Sequence, residues 1–138
     1  MPQPFISPTT SAPHGHYAHA VRAGSFLFIS GILGHDGQGV EAPEIGTQAA
    51  RCLRDLEIII NEAGGELSGV VKVCIFTTDA ALWPRINSVY ADFFGPTRPA
   101  RIVVPCGPMR FGSLIEMDAI AFIDEVASPG LDAVDHRL

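Results

Sequence analysis

The spacing of apolar residues switches repeatedly between a strand-like and a helical period, and that switching restricts the chain to a mixed α and β architecture. From Thr47 to Ala63, the residues Ala49, Cys52, Leu53, Leu56, Ile59, Ile60 and Ala63 fall at helical spacing. Arg51, Arg54, Asp55, Glu57 and Glu62 take the other face, and Gly64-Gly65 supplies a stop. Val70–Thr78 (VVKVCIFTT) then reads as a central strand, rich in β-branched residues. A second helix starts at Asp79 or Trp83, with Pro84 suited to its first turn. Its apolar stripe is Ile86, Val89, Tyr90, Phe93 and Phe94, and Gly95-Pro96 ends it.

The flanks read as strands. Tyr17–Arg22 and Ser25–Ser30 surround a hairpin turn at Ala23-Gly24. Gly31–Gly39 (GILGHDGQG) reads as a loop, and Ala100–Cys106 and Ser113–Ile123 as the last two strands. The expected class is α+β, in the order β-β-α-β-α-β-β, with two helices on one face of a mixed sheet. The uncovered face carries enough apolar residues to want a partner, which predicts an oligomer. The length of 138 residues fits a single domain, 1–138, with residues 1–15 as an extended arm and 126–138 as a tail.

Composition narrows the function. The net charge is −6, and the only lysine among 9 Lys+Arg is Lys72. A basic footprint for nucleic acid or an anionic membrane is hard to build from that supply, so neither is expected as a partner. No apolar run reaches membrane-spanning length, and the N-terminus lacks the pattern of a signal peptide. Cys52, Cys74 and Cys106 are widely spaced and odd in number, which suits buried free thiols in a reducing cytoplasm.

Three features interrupt apolar strands with polar chemistry. Arg101 lies in PARIVVP, Glu116 in SLIEMDAIAFI, and Ser30-Gly31 ends FLFIS. A guanidinium is a planar fork for a carboxylate, and a tuned carboxylate can position water or move a proton. Together they suit a small acid attacked by water. The local pattern alone favours a structural Arg101–Glu116 ion pair at a sheet edge and a simple turn at Ser30-Gly31. His14, His16 and His19 have an H-x-H core that could hold zinc or copper, but no Asp or Cys nearby completes a set. His35 is expected to face solvent. The GILGHDGQG glycines match no phosphate-binding fingerprint. Cys106 has apolar neighbours and reads as an inert thiol.

The order HGHYAHAVRAGSFLFISG, TQAARCLRDLEIIINEAGG, VVKVCIFTTD, INSVYADFFGPTRPAR and LIEMDAIAF resembles the Rid family, the reactive intermediate deaminases, also called the YjgF family. The likeness runs from about Tyr17 to Phe122. It implies a chorismate-mutase-like fold of the trimeric type, with clefts between subunits. It implies hydrolysis of enamines and imines such as 2-aminoacrylate and 2-iminobutanoate to a keto acid and ammonia, with no cofactor or metal. The carboxylate-binding arginine falls on Arg101, and the glutamate that holds or activates water falls on Glu116. Tyr17, Ser30, Gly31, Asn87 and Val103 fall at the family's other pocket positions. Here Ile32 replaces the usual glutamine, Val103 replaces a common cysteine, and GPMRFGSL brings in Arg110. The opening PHGHYAHAVRAG is also similar to the aminomuconate deaminases of this superfamily, whose substrate is a larger dicarboxylic enamine; Arg110 is then a candidate for the second carboxylate. A trimer that binds keto acids or stabilises proteins without turnover is the alternative the same residues allow.

Overall fold

The computed structural model describes residues 1–38 and 43–123. The expected tail at 126–138 lies outside them. Strands β1 (Gln3–Phe5), β2 (Ala20–Ala23) and β3 (Phe26–Leu33) precede helix α1 (Ile45–Glu62). Strand β4 (Val70–Thr77), helix α2 (Trp83–Phe94) and strands β5 (Ala100–Pro105) and β6 (Ile115–Phe122) follow. They form one six-stranded sheet in the order β1-β2-β3-β6-β4-β5. All pairs are antiparallel except β4 with β5, which the intervening α2 makes parallel.

Local chemistry explains the boundaries. Glu44 caps α1, its carboxylate accepting from the backbone N–H groups of Gly46 and Thr47. Asp79 accepts from the Ala81 N–H in the short 3₁₀ turn that leads into α2. Gly24 makes the β2–β3 turn with φ 60°.

Two expectations change. The extended N-terminal arm adds a strand to the sheet: Gln3, Pro4 and Phe5 pair with Arg22, Val21 and Ala20 as a short edge strand. The β3 strand continues through Gly31 to Leu33 instead of stopping at Ser30. It does so by bulging. Ile29 pairs with Ala119 and Ile32 with Met117, so β3 spends one residue more than β6 over the same step.

The core lies between the sheet and the helices. Leu27, Val73, Ile75, Ile115 and Met117 are fully buried against Leu53, Leu56 and Ile60 of α1 and Ile86 of α2. Both helices cover this one face. The opposite face exposes Phe26, Phe28, Ile102 and Phe122, each by more than two-fifths. An apolar patch of that kind marks an interaction surface. Among the described residues no helix is long and apolar enough to cross a membrane.

Candidate active site

Strand register decides where the polar residues of the sheet point. Arg101 pairs with Val73 on β4, and Glu116 pairs with Phe76. Val73 and Phe76 are three residues apart on one strand, so they face opposite sides of the sheet. Arg101 therefore projects to the helix side and Glu116 to the open side. Within one chain they form no ion pair, and the structural-pair expectation fails for that geometric reason.

Arg101 is held by α2. Its Nη1 donates to Asn87 Oδ1 at 2.9 Å, and its guanidinium lies 4.7 Å from the centre of the Tyr90 ring. Asn87 and Tyr90 are one helical turn apart and so present to the same side. The ring rests in turn on Phe94, 4.6 Å away between centroids. These residues, with Thr97 and Arg98, line a cavity of about 490 Å³.

Glu116 opens on a different cavity of about 480 Å³, with Tyr17, Ser30, Gly31, Met109 and Arg110 in its wall. The bulge brings Gly31 against the Glu116 carboxylate, where any Cβ would collide with Oε1. Burial, and then the charge of Asp118, push the Glu116 pKa up. Ser30 is fixed by donating from Oγ to the Ala18 carbonyl at 2.7 Å, which leaves its lone pairs free to accept. The Tyr17 hydroxyl accepts from the His14 N–H at 3.2 Å. Val103 lines neither cavity; it packs beside Ile75 on the helix side of β5.

The loop after β5 carries Arg110. Its guanidinium stacks over Phe111 at 4.8 Å, and Phe111 adopts left-handed backbone with φ 61°. Such a conformation in an aromatic residue costs about 1–2 kcal/mol. It is held by contact with the His14 ring at 5.2 Å and by Gly37, where a Cβ would sit 2.7 Å from the Phe111 ring. Gln48, fully buried, accepts at Oε1 from the Leu114 N–H at 2.8 Å and ties the loop to α1. Among the described residues Arg110 makes no ion pair.

Several side chains depart from their sequence reading. Arg51, expected on a solvated face, reaches the Glu116 cavity and pairs with Asp36 at 2.8 Å, holding the Asp36 carboxyl far below its usual range. The i,i+4 spacing of Arg51 and Asp55 was the available signal. His35 is buried, not exposed. His19 is also buried, with Nδ1 accepting from the Ser7 N–H and Nε2 bonded to the Ser11 carbonyl, each at 2.8 Å. Both nitrogens are thus committed to the N-terminal arm, and among the described residues no group of three metal-ligating side chains converges. Cys52 is buried, which drives its thiol pKa up, whereas Cys106 is exposed, contrary to expectation.

A one-face-covered mixed sheet with an arginine cradle and a separate carboxylate cavity defines a small α+β domain. The family described as Endoribonuclease L-PSP matches residues 9–123, and the chain belongs to this YjgF/RutC/Rid family. It is 35% identical over 126 residues to the 3-aminoacrylate deaminase RutC of Acinetobacter baylyi, covering 89% of this chain and all of that protein. A crystal structure of RidA from an Antarctic Psychrobacter superposes with a TM-score of 0.80 at 30% identity, covering 88% of this chain and 99% of that one. The structure of E. coli TdcF with bound serine gives a TM-score of 0.79 at 27% identity, covering 87% and 98%.

Proposed function

We propose that this protein hydrolyses reactive enamine and imine carboxylic acids to keto acids and ammonia. The observation that carries the reading is Glu116, a partly buried carboxylate of raised pKa pressed against Gly31 in a cavity large enough for a small-molecule ligand. The deaminase named among the relatives supports it. So does the arginine held open by Asn87 and Tyr90, a fork suited to a carboxylate.

In this reading the site is shared. Arg101 and Glu116 face opposite sides of one sheet, so they act on one substrate only if different subunits supply them. The exposed apolar face supports an oligomer, and a trimer is the form that the family resemblance implies. Arg101 of one subunit forks onto the carboxylate and fixes the imine carbon. Glu116 of the neighbour takes a proton from water as its oxygen bonds to that carbon. The C=N π pair moves to nitrogen, which takes up that proton from Glu116; the hydroxyl proton of the resulting carbinolamine then passes by the same carboxylate to nitrogen, the C–N bond breaks, and ammonia leaves a C=O group behind. Tyr17, Ser30 and Gly31 form the wall around the reacting carbon. No metal or cofactor is invoked, and the substrate is a free small molecule. A net charge of −6 weighs against an RNA substrate, although the family carries the name Endoribonuclease L-PSP.

Arg110 favours a larger substrate within the same class. It lines the Glu116 cavity without an ion pair among the described residues, where a second carboxylate, as in 2-aminomuconate, would find it.

The test is a coupled assay in which a serine or threonine dehydratase releases the imine and its decay is followed. Faster decay, lost in Arg101→Ala, supports the deaminase. Saturable keto-acid binding with no acceleration of any imine, small or dicarboxylic, makes the protein a binder or a protein-stabilising trimer instead.

A further inference from the structure

The loop between β5 and β6 keeps an aromatic residue where the backbone disfavours one. The Arg110 carbonyl accepts from the Ser113 N–H at 3.1 Å. Both residues between them are left-handed, Phe111 with φ 61° and Gly112 with φ 68°. A tight turn of that shape ordinarily takes Asn-Gly, because asparagine tolerates the left-handed region better than phenylalanine does. Burial offers little in return, since Phe111 is 38% exposed. Neither turn chemistry nor the core accounts for the ring.

Its contacts do. Phe111 is not in the wall of the Glu116 cavity, but its ring touches two residues that are, His14 and Arg110. The His14 ring lies 5.2 Å away, and the His14 N–H is tied to the Tyr17 hydroxyl. The Arg110 guanidinium lies 4.8 Å from the ring centre. Gly37 leaves the room for this stack, since a Cβ there would sit 2.7 Å from the ring. Arg22, Arg51 and Arg101 each donate a side-chain hydrogen bond, whereas Arg110 donates none among the described residues. The Phe111 ring thus orients an exposed guanidinium while leaving its N–H groups available.

We infer that Phe111 is a positioning residue for substrate choice: its ring holds the Arg110 guanidinium at the cavity so that a dicarboxylic acid is preferred over a monocarboxylic one. This rests on the reading of Arg110 as the seat of the second carboxylate. A free arginine side chain gives up rotamer freedom when it binds an anion. One already stacked has less to lose, so the ring acts on affinity for the second carboxylate.

The test is a pair of calorimetric titrations, with 2-oxoadipate as a stable dicarboxylic keto acid and 2-oxobutanoate as the monocarboxylic reference. The ratio of the two affinities is the readout. Wild type is expected to prefer 2-oxoadipate by about tenfold or more. Phe111→Asn suits the turn better than the native residue, so it is expected to melt no lower than wild type. Its preference for 2-oxoadipate is expected to fall about threefold to fivefold, and Phe111→Tyr, which keeps the ring, to retain it. Arg110→Ala is expected to abolish the preference, and adding Phe111→Asn to that variant to change the ratio no further. An unchanged ratio in Phe111→Asn would overturn the inference. So would a lower melting temperature with both acids weakened alike, the mark of a packing residue. Arg110→Ala reports separately on the underlying reading: if it keeps the wild-type ratio, or if wild type has no preference to lose, the second-carboxylate site is wrong and the inference falls with it.

Discussion

Arg101 and Glu116 stand on opposite faces of one sheet, separated by the β4 strand that pairs with both. A substrate touching both groups must bridge two chains. Mixing two inactive variants, Arg101→Ala and Glu116→Ala, therefore restores activity. With random exchange in a trimer, about a quarter of the sites receive one intact residue from each side. The measurement is the imine-decay rate after joint refolding of the two variants. A rate no higher than that of either variant alone would place both groups in one chain.

Asn87 contributes through Arg101. A hydrogen bond to a charged group is worth about 1.5–3 kcal/mol. Asn87→Ala releases the guanidinium from its 2.9 Å contact and is expected to raise KM by about tenfold or more, with a smaller effect on kcat. Asn87→Asp keeps an acceptor but adds a charge that competes with the substrate carboxylate, so steady-state kinetics should show no rescue.

Glu116 predicts the acid limb of the pH profile. Burial and Asp118 raise its pKa, and the deprotonated form is the one that can accept a proton from water. Activity is then lost as pH falls through a value above the ordinary carboxylate range. Asp118→Asn removes the second cause and shifts that limb toward lower pH, read from kcat/KM against pH.

The Asp36–Arg51 pair predicts a stability difference of defined sign. Asp36 has a folded-state pKa well below its unfolded value, so the pair stabilises the fold above the ordinary carboxylate range. That contribution fades as pH falls toward the folded-state value. Thermal melts of Asp36→Asn should lie below wild type at pH 7 and converge with it in strong acid.

The arm is latched by His19 and Glu62. Ser7 Oγ donates to Glu62, Thr9 Oγ1 donates to the same carboxylate at 2.9 Å, and His19 holds the backbone of Ser7 and Ser11. Thr10 and Ser11 line the Glu116 cavity. His19→Ala is expected to expose residues 7–11 to limited proteolysis and to weaken keto-acid binding, without comparable loss in the core melt.

The periods are written in the amino-acid order, and they set the elements. Helical spacing from Ala49 to Ala63 became α1, the β-branched run at Val70 became β4, and Pro84 opened α2. These are local properties, carried by residues a few positions apart. Arg101 and Glu116 were legible as polar breaks in apolar strands. What each faces was not, because a side chain's face depends on strand register, and a slip of one residue reverses it. The register of β4 against β5 and β6 is set by core packing between residues far apart in sequence. The same holds for the β3 bulge that seats Gly31 on Glu116, for the Asn87 and Tyr90 cradle, and for His19 reaching back to Ser7. Only the folded chain brings those groups into contact, so their pairing follows from long-range packing and not from local order.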